Sequence, residues 1–185
     1  MYEAIIVGLI LGVLWFIEKF FGTCMVIRPL VVSPLVGLAL GDLQTGVVIG
    51  ATLEMVFMGA IQIGGAVPPD ALVGAGLGTA FAILTNQGAE IALTLALPIA
   101  ILAQSIKVLL FIIRSGFMTP AMKYAEAGDI RKMKMLNYAG LLLQSLMYFA
   151  VAFVAIMFGS AAVEAFVNNI PETIMQGLNV AGGLL

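Results

Sequence analysis

One long stretch without a charged residue, at positions 135–163, constrains this chain more than any other feature. A helix needs about 20 predominantly apolar residues to cross the roughly 30 Å hydrocarbon core of a bilayer. The stretch is long enough for one tilted span. Charged residues make up only 10% of the chain, against about 25% in soluble domains. The sequence therefore predicts an integral membrane protein, and it has no basic patch that would bind nucleic acid.

Other apolar stretches predict further membrane segments. Residues 4–17 and the phenylalanines that follow predict a first span or a deep interfacial helix. Residues 71–89 predict a full span, and residues 91–113 predict another that carries a single lysine. Residues 170–185 begin one more apolar segment, after which we expect additional membrane helices. We expect residues 1–185 to form a single membrane domain.

The region between residues 29 and 70 has a different pattern. Its apolar runs are shorter than a span and are interrupted by acids, glycines and prolines. Such runs are typical of half-helices or re-entrant hairpins. The predicted fold class is therefore an all-α integral membrane protein that combines transmembrane helices with broken or re-entrant helical hairpins. Closely spaced glycines predict backbone-to-backbone packing and faces that need partner helices: Gly37, Gly41, Gly46, Gly50, Gly74 and Gly78.

Basic residues indicate the orientation. The segment "KYAEAGDIRKMK", residues 123–134, concentrates lysine and arginine in one short loop, which predicts that the loop is cytoplasmic. Residues 85–90, one span earlier, are then expected outside, and the side of the N-terminus stays open. The loop either fixes topology alone or also forms a docking surface for a soluble partner.

Two acids in the interrupted region have alternative interpretations. Asp42 is interpreted as a possible structural cap of a helix that starts at Thr45, because Asp accepts hydrogen bonds from the free amides of a helix start. Glu54 has apolar neighbours on both sides. It either serves substrate binding or coupling, or forms a structural pair with a basic residue.

The segment "GGAVPPD", residues 64–70, breaks the backbone at a glycine pair and at Pro68–Pro69. Irregular backbone at membrane depth is tolerated where it is buried in protein or lines a cavity. Asp70 is expected to cap a helix that begins at Ala71, either alone or together with a role in a binding site. Gln62 adds an amide that both donates and accepts, so this region suits an uncharged ligand with many hydroxyls.

Several kinds of chemistry are excluded for this stretch of chain. It contains no histidine, which excludes a phosphohistidine, an imidazole metal ligand and a histidine general base. The single cysteine, Cys24, excludes an internal disulfide. No catalytic residue, metal site or cofactor is predicted.

Two long segments resemble a known family. "RPLVVSPLVGLALGDLQTGVVIGATLEMVFMG" with "GGAVPPD", and later "IPETIMQGLNVAGG", look like the membrane subunit IIC of the mannose–fructose–sorbose type bacterial phosphotransferase system. The resemblance implies a bacterial plasma membrane subunit that binds a hexose near its broken helices. The substrate-binding residues that it implies are Glu54, Gln62, Val67, Pro68, Pro69 and Asp70. It implies a second membrane subunit, IID, trimers of IIC–IID pairs, and soluble IIA and IIB subunits that carry the phosphoryl group. Uptake would then be coupled to phosphorylation of the sugar.

Other functions remain open on the residues alone. Broken helices and carboxylates also suit an ion-coupled secondary sugar transporter, and a third possibility is a scaffold for a partner subunit. Group translocation requires phosphoenolpyruvate and soluble partners, whereas a symporter requires an ion gradient.

Overall fold

The protein, in a computed structural model, is described for residues 1–61, 63, 66–86 and 89–168, with side chains up to Gly159. This part of the chain is helical, without strands, which confirms the all-α prediction for it. The predicted segment 170–185 lies outside the described residues. The helices are α1 (Tyr2–Phe20), α2 (Pro29–Leu40), α3 (Leu43–Phe57), α4 (Ala71–Leu84), α5 (Ala89–Ser115), α6 (Met118–Glu126) and α7 (Ile130–Asn168).

Two described stretches, 89–126 and 130–159, are long and apolar enough to cross a membrane by length and composition. The long helix α7 packs antiparallel to α1, since Gly8 lies against Phe149 and Gly12 against Ser145. The Ser145 hydroxyl donates to the Gly12 carbonyl at 2.8 Å. The C-terminal end of α1 therefore lies beside the start of α7, and the N-terminus of the chain lies at the end opposite the basic loop.

Helices α2 and α3 form a tight hairpin. Gly41 ends α2 with a φ of 89°, in the left-handed region that favours glycine. The Asp42 carboxylate accepts from the Thr45 amide at 3.0 Å, so Asp42 is an N-cap, although the helix begins at Leu43 rather than at Thr45. A Cβ at Gly37 would lie 2.8 Å from the Cα of Gly46. The two arms thus touch backbone to backbone within one chain.

Five of the six glycines that were expected to need partner helices are buried within the chain, and for these the expectation is wrong, whereas Gly41 is exposed: the five are Gly37, Gly46, Gly50, Gly74 and Gly78. Gly50 lies against Pro29 and Ser33, and the α4 glycines face α5, with Gly74 against Ala100. Because the hairpins fold onto each other, their small residues are covered inside the subunit.

The predicted full span at residues 71–89 is also wrong. Helix α4 is 14 residues long, about 21 Å at 1.5 Å per residue. It ends where the Thr85 hydroxyl bonds the Phe81 carbonyl at 2.8 Å and Asn86 takes a φ of 51°. The prediction followed the absence of charged residues, and this turn is polar but uncharged. The helix contacts α1, α2, α3, α5 and α7, so it is the centre of the bundle.

The basic loop, residues 123–134, runs from the end of α6 into the start of α7. The Asp129 carboxylate accepts from the Lys132 amide at 3.0 Å and pairs with its ammonium group at 3.0 Å. These hydrogen bonds from Lys132 lower the pKa of Asp129. The basic loop exposes its lysine and arginine side chains to solvent, and Asp129 anchors the start of α7.

Candidate functional site

The candidate site is a cavity of about 1060 Å³ at the point where three short helices begin or end. Arg28 and Asp70, which precede α2 and α4, lie in its wall together with Met58, which follows α3. Broken helices place helix termini at membrane depth in this way. Residues from α1, α5 and α7 complete the wall, including Trp15, Glu18, Lys19, Lys107, Phe111, Arg114, Leu141, Gln144 and Tyr148.

Four of the six predicted substrate-binding residues line this cavity: Glu54, Pro68, Pro69 and Asp70. Val67 does not line it, but its carbonyl accepts a hydrogen bond from the side-chain amide of Gln104 on α5. Gln62 lies outside the described residues. The structure thus gathers Glu54 and the segment Pro68–Asp70 around one space.

Asp70 is the most connected acid of the cavity and is 4% exposed. Its Oδ1 accepts from the Val73 amide at 3.2 Å, which caps α4. Its Oδ2 accepts from the Tyr148 hydroxyl at 2.7 Å and lies 3.4 Å from the Lys107 ammonium group. Its own amide donates to the Ala100 carbonyl at 3.1 Å. Asp70 therefore ties α4 to both α5 and α7.

Glu54 closes the open end of the α2–α3 hairpin. It forms an ion pair with Arg28, whose Nε lies 2.7 Å from Oε1. Its Oε2 accepts from the Leu30 amide at 3.2 Å, one of the free donors at the start of α2. The guanidinium also donates to the Phe57 carbonyl at 3.3 Å. The structural pair is present, and contact of Glu54 with a substrate stays a prediction.

Comparison with known proteins decides the family. A family model described as "PTS system sorbose-specific iic component" matches residues 1–185. The chain belongs to this family. The predicted resemblance is thereby confirmed.

Curated relatives of this IIC chain carry names with different sugars. It is 35% identical over 159 residues to the PTS system mannose-specific EIIC component of Escherichia coli (strain K12), covering 85% of this chain and 60% of the relative. It is 33% identical over 158 residues to the Fructose permease IIC component of Bacillus subtilis (strain 168), covering 85% and 59%. The chain thus spans about 60% of the length of these relatives.

Solved structures give the same fold for this IIC chain. One described as "Structure of membrane protein" superposes with a TM-score of 0.87 at 31% identity, covering 98% of this chain and 74% of the other. Another, described as "CryoEM Structure of Mannose Transporter ManYZ and Microcin E492 (MceA) complex", has a TM-score of 0.79 at 31% identity, covering 98% and 73%. The prediction of a membrane protein is confirmed.

Sequence analysis missed Glu18, the acid of this IIC chain that accepts the fewest hydrogen bonds among the acids lining the cavity. Glu18 is 2% exposed and lines the cavity. Within the described residues, the hydrogen bond it accepts comes from the Val26 amide at 3.1 Å, and no cation lies within salt-bridge distance. This residue was not weighed among the candidate acids of the sequence, and it is covered because the loop after α1 folds back and donates the Val26 amide to it.

Sequence reasoning also missed the polar face of α5 and α7. Lys107, Phe111 and Arg114 are spaced i, i+4, i+7, and Gln144 and Tyr148 are spaced i, i+4. Such spacing places side chains on one helix face, and it could have predicted this polar face from the sequence. Among the described residues, no group of three His, Cys, Asp or Glu side chains could hold a metal ion.

Proposed function

We propose that this chain is the sugar-translocating IIC subunit of a mannose–fructose–sorbose type phosphotransferase system. It binds a hexose in the central cavity and presents it to a cytoplasmic phospho-IIB, so that uptake and phosphorylation are coupled. The observation that carries the proposal is the cavity of about 1060 Å³ at the ends of α2, α3 and α4, in a chain of this family.

The charge balance of the cavity suits a neutral ligand with many hydroxyls. Arg28 pairs with Glu54, and Lys107 pairs with Asp70. Each pair is neutral as a whole, whereas the carboxylate of Glu18 keeps acceptor capacity, since an ionised carboxylate accepts several hydrogen bonds. The binding site that we propose adds Glu18 to Glu54, Gln62, Val67, Pro68, Pro69 and Asp70.

Division of labour with other subunits follows from the chemistry. The 185 residues contain no histidine, so the phosphohistidine would be carried by IIB and supplied by IIA. This chain would then contribute position, since phosphoryl transfer depends on holding the acceptor hydroxyl in line with the donor. IID is the proposed membrane partner, and IIC–IID pairs assemble into trimers. The large exposed apolar residues of α5, such as Leu102 and Ile112, would meet lipid or IID.

The chain would lie in the bacterial plasma membrane as a single multi-pass domain, with the basic loop 123–134 in the cytoplasm. Single cysteines at Ala127 and Asn86, introduced after Cys24→Ser, test the orientation with an impermeant thiol reagent on whole cells. Labelling at Asn86 but not at Ala127 is expected. The reverse pattern would overturn the orientation.

Transport by inverted and right-side-out vesicles tests the function itself. With IID, IIB and IIA present, uptake of mannose, fructose or sorbose is expected to require phosphoenolpyruvate and to deliver sugar phosphate. Uptake of free sugar driven by a proton or sodium gradient, without phosphoenolpyruvate, would instead identify an ion-coupled transporter. Assembly with IID but no uptake of any sugar would leave the scaffold role.

A further inference from the structure

A second cavity, of about 360 Å³, lies beside the basic loop. Its wall comes from the end of α5, from α6 and from the first turns of α7, and includes Phe117, Ala121, Met133, Asn137 and Gly140. Among the described residues, Arg114 is the one residue that lines both this cavity and the central cavity. Its side chain thus stands between the central cavity and the basic loop.

Arg114 points inward, although it lies near the end of its helix. Its Nη1 donates to the side-chain carbonyl of Gln144, a residue that is 2% exposed. Gly140 leaves room beside the guanidinium, since a Cβ there would lie 3.4 Å from Nη2. An arginine that served topology alone would extend into solvent. Gln144 therefore acts as a positioning residue that holds Arg114 against the cavity.

The charge of Arg114 is not balanced by a carboxylate. Within the described residues, Arg28 and Lys107 each have an acid within salt-bridge distance, whereas Arg114 has none. A guanidinium carries five N–H donors in a planar fork that matches a phosphate group. The hydrogen bond to Gln144 uses one of these donors. The cavity thus combines two ion pairs, at Asp70 and Glu54, with a guanidinium near the basic loop that has no carboxylate within salt-bridge distance in the described residues.

We propose that Arg114, held by Gln144, forms an anion subsite that binds the phosphate group of a phosphorylated sugar at the junction of the two cavities. This inference rests on the proposed function, which places a sugar phosphate at the cytoplasmic end of the cavity. Lys19 and Glu18 also line the central cavity and carry opposite formal charges. A hexose phosphate would keep its ring in the central cavity while its phosphate contacts Arg114.

Equilibrium binding to the purified full-length IIC–IID complex in lipid-free detergent tests the subsite, with mannose 6-phosphate, inorganic phosphate and free mannose as probes. Arg114→Gln should weaken binding of both phosphates about tenfold or more, since charge-assisted hydrogen bonds are the strong ones. Arg114→Lys keeps the charge and should give an intermediate loss. Free mannose should bind both variants as it binds the unaltered complex, which also reports that the variants are folded.

Arg131→Gln is the matched control, because it removes the same charge from an exposed position of the basic loop that lines neither cavity. It should leave phosphate binding unchanged. Equal losses in the Arg131 and Arg114 variants would overturn the subsite, as would unchanged phosphate binding in Arg114→Gln.

A phospholipid headgroup offers the same phosphate chemistry, so one arm repeats the measurement with added phosphatidylglycerol. Dependence on Arg114 that appears only with this lipid would assign the site to lipid and overturn the proposal. Phosphate binding that depends on Arg114, in a complex that takes up no sugar with phosphoenolpyruvate, would retain the anion subsite and refute the proposed function. The two failures are therefore distinguishable.

Discussion

The ion pair between Asp70 and Lys107 gives a quantitative prediction for Asp70→Asn. Asparagine caps a helix about as well as aspartate when its amide oxygen takes the place of Oδ1, and its NH2 group then takes the place of Oδ2 and can donate to the Tyr148 hydroxyl oxygen. The substitution therefore removes mainly the charge that faces Lys107 at 3.4 Å. Breaking a buried ion pair by removing one partner costs about 3–5 kcal/mol. Because the Lys107 side chain is 15% exposed and faces the cavity, we expect about 2–3 kcal/mol after allowing for water in the cavity.

Asp42→Asn provides the matched control. Asp42 also caps a helix through its carboxylate, but within the described residues it has no cation within salt-bridge distance. We expect its substitution to leave the free energy of unfolding almost unchanged, because the cap survives. SDS titration of the purified IIC–IID complex in mixed micelles, followed by circular dichroism, measures the difference in unfolding free energy.

A double-mutant cycle with Lys107→Met isolates the pair. We expect a coupling energy of about 1–3 kcal/mol between positions 70 and 107, so that the double variant is more stable than the sum of the single losses indicates. Equal stability of the two asparagine variants, or a coupling within about 0.5 kcal/mol of zero, would show that Asp70 is a cap without an energetically important pair.

Three further predictions follow from single contacts. Glu18→Gln should lower hexose affinity about tenfold, since a hydrogen bond to a charged acceptor is worth about 1.5–3 kcal/mol. The control Glu3→Gln, at the exposed start of α1, should leave the affinity unchanged. Equal hexose affinities of the two variants would remove Glu18 from the site. Gly37→Ala should destabilise the complex by about 1–3 kcal/mol, because the new Cβ would lie 2.6 Å from the Asp42 carbonyl oxygen. The control Gly59→Ala should not change stability, because a Cβ there meets no atom within 4 Å. Because the pKa of Asp129 is lowered, its carboxylate stabilises the start of α7 at pH values above its ordinary pKa, and this stabilisation is lost as pH falls through the folded-state pKa. Hydrogen exchange at residues 130–133 should therefore speed up in acid relative to an Asp129→Ala control. Parallel pH profiles of the two proteins would refute the cap.

Local features of the fold were predictable because their causes are local. Asp42 and Asp70 cap helices through amides three residues away, a distance at which the residue type alone is informative. The long apolar stretch around residues 135–163 does lie within one helix. The length of α4 was mispredicted because the prediction ran to the next charged residue, whereas Thr85 and Asn86, which are polar but uncharged, end the helix in a turn.

The partners of the cavity residues depend on tertiary packing and were not predictable. Tyr148 reaches Asp70 across 78 positions of sequence, and Arg28 reaches Glu54 across 26. Glu54 had been weighed as a pair with an unnamed basic residue, but a single sequence does not say which one, and no basic partner had been predicted for Asp70. Glu18 was missed because its burial is produced by the loop after α1, which turns back and donates the Val26 amide.

The two short helices that begin at the cavity use the same arrangement, and this has a consequence for motion. Each start has a carboxylate that accepts from a helix amide and pairs with a cation: Glu54 with Arg28 at α2, and Asp70 with Lys107 at α4. Both pairs are internal to one hairpin, α2–α3 or α4–α5. Within the described residues, no ion pair joins the two hairpins. A displacement of one hairpin against the other would therefore rearrange packing at the small residues without separating buried charges, and separating buried charges is the costlier of the two.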